Sequence, residues 1–143
     1  RDTDKLIPLI EKMHASSFIT ASPFRRDPER VLKATDIAVN ASTAIESLPG
    51  ALINVQAMGI PAVASAIPGA GEVVENGVTG IIVPIGEVDA QAKALESLIT
   101  ISHTQFMQMK SAARARAIRL FSSDTRVHRR LECYHKAIGN RMK

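Results

Sequence analysis

Glu46, Pro49, Gly50, Ala51 and Asn54 fall within one nine-residue stretch, Glu46 to Asn54, whose residue types suit recognition of an anionic or hydroxyl-rich ligand. Pro49-Gly50-Ala51 reads as the opening of a helix, and the first amides of a helix have no partner within it. Gly50 carries no side chain to obstruct a ligand, so an anion or a sugar oxygen can reach those amides. Glu46 lies in the loop ahead of the helix and Asn54 in its first turns, so both polar groups can reach one ligand. An acceptor such as Glu46 suits the hydroxyl donors of a sugar ring.

Other constellations carry less. Asp2-Thr3-Asp4 has a spacing found in metal sites, but it precedes a helical pattern and reads as a cap; hard cations need further oxygen ligands that the neighbouring sequence does not supply. No metal is expected. Gly69-Ala70-Gly71 follows a strand pattern but has Val74 where a dinucleotide fingerprint needs its third glycine, and it reads as a tight turn. His14, His103, His128 and His135 show no ligand spacing and no nucleophile partner, and Cys133, the single cysteine, excludes an internal disulfide.

The elements that would position these residues alternate. Leu6 to Met13 repeats at helical spacing, Ser17 to Ala21 is a strand candidate, and Asp27-Pro28 starts a second helix. Ile37 to Ala41 reads as a strand, 42–49 as a loop, Gly50 to Met58 as a helix and Pro61 to Ser65 as a strand. Gly71 to Glu75 is a short helix, Gly80 to Pro84 a strand, and Asp89 caps a helix through Ile99. Thr104 to Leu120 and Ser123 to Ile138 close the chain as two helices, the second capped by Ser123 or Asp124, which must cover the sheet or reach a partner domain. Short, continuously apolar strands separated by helices suit a parallel sheet covered on both faces. The expected class is α/β, Rossmann-like.

The chain has 143 residues, 45% apolar and 22% charged, which fits one domain over 1–143. No apolar run reaches the roughly 18 to 20 residues of a membrane span, and Arg1-Asp2-Thr3-Asp4 lacks the start of a secretory signal, so a cytoplasmic location is expected. The net charge of +4 is uneven: Lys110 to Lys143 holds ten Lys or Arg against Asp124 and Glu132. Such a stretch is either a solvated helix face or a surface for anionic membrane, peripheral at its inner face, and nucleic acid is not the expected partner.

The stretch Glu46 to Val63, with Gly69 to Gly86 after it, resembles the C-terminal, donor-nucleotide domain of family 4 retaining glycosyltransferases of the GT-B fold. In that family a strand leads through Glu-Gly-Phe-Gly or Glu-Gly-Leu-Pro into a helix bearing a second Glu and ending in Gly-x-Pro. Gly69 to Glu75 is similar to its Gly-Gly-x-x-Glu-Val-Val turn, and Asn76 to Gly80 to its Asn-Gly-x-x-Gly hairpin. Asp89 matches a helix cap, and Phe121-Ser122 with Leu131 to Tyr134 the closing helix. Each piece is weak alone; five in order at the right spacing are specific.

The resemblance implies half of a GT-B fold, lacking its first βα units, from a parent that transfers a sugar from a nucleotide donor to an acceptor with retention of configuration, in polysaccharide or glycolipid synthesis. The alternative is a catalytically degenerate nucleotide-binding or scaffold module. Glu46 matches the first Glu of the family's Glu-x7-Glu motif and is the implied catalytic residue; Ser22, Pro23, Leu48, Pro49, Gly50, Ala51 and Asn54 are the implied donor-binding set. Ser22 and Pro23 would meet the base, with Arg25 and Arg26 either assisting a phosphate or simply solvated. Asn54 stands where the family has the Glu that accepts two ribose hydroxyls, a neutral-for-charged exchange costing about 1 kcal/mol, or about five-fold in affinity. A UDP- or GDP-sugar is the implied substrate, with no cofactor. An N-terminal acceptor-binding domain of the same parent is the implied partner, without which transfer is not expected.

Overall fold

The computed structural model describes residues 3–44 and 47–141, which divide into two compact units, one up to Val31 and one from Leu32 onward.

In the first unit, α1 (Thr3–Lys12) ends at His14, a non-glycine residue with φ 53° that turns the chain sharply. The Ala15 amide then donates to the Ile10 carbonyl, and the amides of Phe18 and Ile19 both donate to the Ala15 carbonyl. This corrects the strand expected from Ser17 to Ala21. Its first amides close a turn behind α1 instead of entering a ladder, and Phe18 is 77% exposed where a buried strand would hide it. α2 (Pro28–Lys33) begins as expected, with Pro28 in its first turn.

The second unit is built on three parallel strands in the order β1 (Ala38–Asn40), β2 (Ala62–Ser65), β3 (Gly80–Val83). Val39 stands opposite Val63, and Val63 opposite Ile81. β2 is buried along its whole length, which explains its apolar run Ala62-Val63-Ala64. Its side chains alternate between the two faces. Ala62 and Ala64 join Leu52 and Val55 of α3 (Gly50–Ala57) and Ala70 and Val73 of α4 (Ala70–Val73). Val63, with Val83, meets Ala94 and Leu98 of α5 (Val88–Thr100). The small residues of β2 and α4 let helices lie close to the sheet, and Gly80 is required there, because a Cβ would overlap the Ala62 carbonyl oxygen.

Two caps differ from the sequence expectation. Asp89 lies in the first turn of α5, after the cap position Glu87, so its charge favours the helix end without capping it. The last helix, α7 (Ser123–Arg141), is capped by Ser122, whose hydroxyl accepts the Thr125 amide at 3.3 Å, rather than by Ser123 or Asp124. The preceding helix, α6 (His103–Phe121), opens on a reciprocal box between Ser102 and Gln105, buries Ala113 and Ala117, and packs against α3. α4 spans Ala70–Val73, one residue earlier than expected at its start and two at its end. Among the described residues no helix is long and apolar enough to cross a membrane.

Candidate functional site

In an open parallel sheet, ligands bind beyond the carboxyl ends of the strands. β1 ends at Asn40, and the loop that follows leads into α3. Asn40 steadies the loop's start, its side-chain oxygen accepting the Ser42 amide at 3.3 Å. The loop's far end is fixed by Pro49, whose ring is buried while its carbonyl accepts the Ile53 amide at 3.3 Å. Pro49 is the N-cap residue, with φ −72° and ψ 99°, and among the described residues no side chain caps the helix it opens.

Leu48, Gly50, Ala51 and Asn54 are exposed around this helix start, whereas Leu52, Val55 and Gln56 turn inward. That leaves one polar residue, Asn54, one turn along from Gly50 on the exposed side. A Cβ built on Gly50 would meet none of the described residues within 4 Å, so the helix start is open on that side. Uncapped amides, open space and a nearby carboxamide can together bind an anion or a hydroxyl. The structure thus brings Leu48, Pro49, Gly50, Ala51 and Asn54 together; Glu46 lies outside the described residues.

Three supporting residues were not legible in the sequence. Gly69, with φ 83°, approaches Ser47 and Leu48 so closely that a Cβ would overlap the Ser47 carbonyl oxygen. The tight turn read at Gly69-Ala70-Gly71 is therefore a rest for the loop ahead of α3. Arg114 of α6 donates to the Ala57 carbonyl at 2.6 Å, placing a cation at the C-terminal end of α3. Arg116, two residues on, holds the end of α4 by several hydrogen bonds. Both arginines act across more than forty residues of sequence, and only the Ala-rich surroundings of α6, which allow close helix packing, hint at them.

Ser22 and Pro23 belong to the first unit, where Ser22 is exposed and donates its hydroxyl to the Pro23 carbonyl at 3.2 Å. Arg25 is committed to a two-pronged pair with Asp27, Nε to Oδ1 at 3.0 Å and Nη2 to Oδ2 at 2.7 Å. This answers the choice left open for Arg25: its guanidinium fork is occupied by the carboxylate that precedes α2. Among the described residues no three His, Cys, Asp or Glu side chains gather as a metal site would need. Asp2 of the Asp2-Thr3-Asp4 spacing lies outside the described residues.

Comparison with known proteins agrees with this architecture. Residues 2–116 match the family described as glycosyl transferases group 1. The chain is 30% identical over 138 residues to the D-inositol 3-phosphate glycosyltransferases of Mycobacterium bovis and Mycobacterium tuberculosis, a match covering 95% of this chain and 28% of theirs. Its fold superposes on a glycosyltransferase from Rickettsia africae with a TM-score of 0.87 at 26% identity, over 96% of this chain and 37% of that one. A similar match, TM-score 0.86 at 26% identity over 93% and 36% of the two chains, is to Anabaena HepE, solved in complex with UDP. The three-stranded parallel sheet with its helices is thus that of the C-terminal half of GT-B glycosyltransferases, and the chain belongs to the glycosyl transferases group 1 family.

Proposed function

We propose that this chain is the donor-nucleotide half of a glycosyltransferase whose parent moves a sugar from a nucleotide-sugar to an acceptor with retention of configuration, in polysaccharide or glycolipid synthesis. The observation that carries the reading is the start of α3, where uncapped amides, the open space over Gly50 and the exposed Asn54 lie on a fold shared with a UDP-bound relative. Anabaena HepE has also been solved with UDP-glucose, which favours a UDP-sugar over other donors.

In this reading the amides of Gly50 and Ala51 hold a donor oxygen as charge departs with the leaving diphosphate, a use of preorganised dipoles. Asn54 meets the ribose hydroxyls and Glu46 accepts from hydroxyls of the sugar. The donor is a substrate, and no cofactor or metal takes part. Transfer requires the acceptor half of the parent, so the chain alone is inactive; it spans less than a third of the curated relatives it matches.

α7 is the element offered to that missing half. From Arg126 to Gly139 every side chain of α7 is exposed, and Val127, Leu131, Tyr134 and Ile138 fall at spacings of four, three and four along one face. A stripe at this spacing seats against another helix or an apolar groove. A second reading, in which the protein sits peripherally on the inner face of a membrane, is favoured by Arg126 and Arg130 beside the same stripe. Binding to anionic vesicles that disappears with Arg126→Gln and Arg130→Gln would select it.

The donor reading is tested by calorimetric titration of the intact protein with UDP-glucose and GDP-mannose. Saturable binding of one donor that weakens with Gly50→Ala supports it; equal indifference to both donors in a folded protein overturns it.

A further inference from the structure

The inference rests on the donor-site reading and concerns what holds the loop ahead of α3 in place. Arg116, in the middle of α6, has a side chain only 17% exposed. Its Nε donates to the Val73 carbonyl at 3.0 Å, its Nη2 to the Glu72 carbonyl at 3.1 Å and the Gly71 carbonyl at 3.5 Å, and its Nη1 to the Glu75 carboxylate at 2.9 Å. The three carbonyls form the last turn of α4, which has no intrahelical amides to take them. A four-residue helix does not hold itself in water, because it has barely completed its nucleus. One guanidinium therefore closes α4 from outside, its planar fork reaching carbonyls that an ammonium would have to choose between.

α4 in turn bears on the candidate site. Its cap residue Gly69 abuts the Ser47 carbonyl and the Leu48 Cα, and its buried Ala70 and Val73 pack in the cluster that holds Leu52 and Val55 of α3. Ser47 and Leu48 are the residues between Glu46 and Pro49. A shift of α4 along its axis is thus passed to the loop by direct contact. We propose that Arg116 is a positioning residue for the donor: it fixes α4, and α4 sets the position of the Ser47–Leu48 backbone on which the sugar end of the donor site depends.

The test compares Arg116→Ala, Arg116→Lys and Glu75→Ala in the intact protein, with UDP-glucose and bare UDP as probes and amide hydrogen exchange as a readout independent of turnover. In Arg116→Ala, exchange at Glu72 and Val74, whose amides are bonded within α4, and at Ile53, whose amide bonds the Pro49 carbonyl at the start of α3, should quicken by about ten-fold while Val63 in β2 keeps its protection. Turnover with UDP-glucose at saturation should fall ten- to a hundred-fold, roughly the effect of misplacing a positioned group by an ångström, with UDP affinity retained. Arg116→Lys should fall between, and Glu75→Ala, which leaves the three carbonyl contacts intact, should stay near wild type. Unchanged exchange at Glu72, Val74 and Ile53, or equal quickening throughout the unit, overturns the proposal. A wild-type protein without turnover or UDP binding refutes the donor reading instead, and the exchange result still decides whether Arg116 positions the loop.

Discussion

Gly50→Ala separates binding from folding, because the structure assigns Gly50 no internal role. Its φ is not positive, and an added Cβ meets none of the described residues within 4 Å. Inside a helix alanine is favoured over glycine by about 0.5 to 1 kcal/mol; at this first position about half of that is a fair expectation. For a domain of this size the melting temperature should then stay level or rise by about 1 to 2 °C. The ligand side is opposite. A donor oxygen hydrogen-bonded to these amides lies about 2.9 Å from nitrogen, close enough for the new methyl to displace it. Losing one hydrogen bond to a charged group costs about 1.5 to 3 kcal/mol, or about ten- to 150-fold in affinity. Differential scanning fluorimetry and calorimetric titration with UDP-glucose, run on the same samples, check both halves. An affinity unchanged in Gly50→Ala would refute the claim that the α3 amides hold the donor; a large loss of stability would refute the claim that the space is open.

Asn54→Glu should strengthen binding of the bare nucleotide by about five-fold, since a carboxylate accepts both ribose hydroxyls more strongly than an amide; titration with UDP reads this directly. Gly80→Ala should lower stability by more than about 3 kcal/mol, because its Cβ would collide with the Ala62 carbonyl of the neighbouring strand, and urea unfolding measures it. Leu52→Ala, at a side chain only 1% exposed between α3 and the sheet, should cost about 2 to 5 kcal/mol in the same assay. Leu131→Asp with Ile138→Asp should leave the melting of the 143-residue chain unchanged, as both side chains are exposed, but should lower transfer activity of the intact protein if α7 seats on its other half.

β2, α3 and α5 were legible because each buries apolar residues: Ala62, Val63 and Ala64 are apolar on both faces since both faces are covered. The site's centre was legible for a related reason, since Pro49-Gly50 announces a helix start and Asn54 lies on the face that Leu52 and Val55 leave free. Ser17 to Ala21 misled because apolar residues favour a strand only where a ladder is available, and here the amides of Phe18 and Ile19 go to the Ala15 carbonyl. The cap of α7 lies one or two residues earlier than Ser123 or Asp124 because Ser122, Ser123 and Asp124 can all cap, and the Ser122 hydroxyl accepts the Thr125 amide. Arg114, Arg116 and the Gly69 contact with Ser47 could not be read at all. Each joins segments far apart in the chain, and no local pattern encodes a guanidinium's distant partners.

The central claim is that a nucleotide-sugar binds at the start of α3. The direct measurement is amide NMR of the chain titrated with UDP, GDP and their hexose conjugates, in wild type, Glu46→Ala and Asn54→Glu. The account predicts shifts clustered at Leu48, Gly50, Ala51 and Asn54, larger for the sugar conjugate than for the bare nucleotide and reduced in Glu46→Ala. Shifts confined to α6 and α7, or none for any donor in the intact protein, would contradict it.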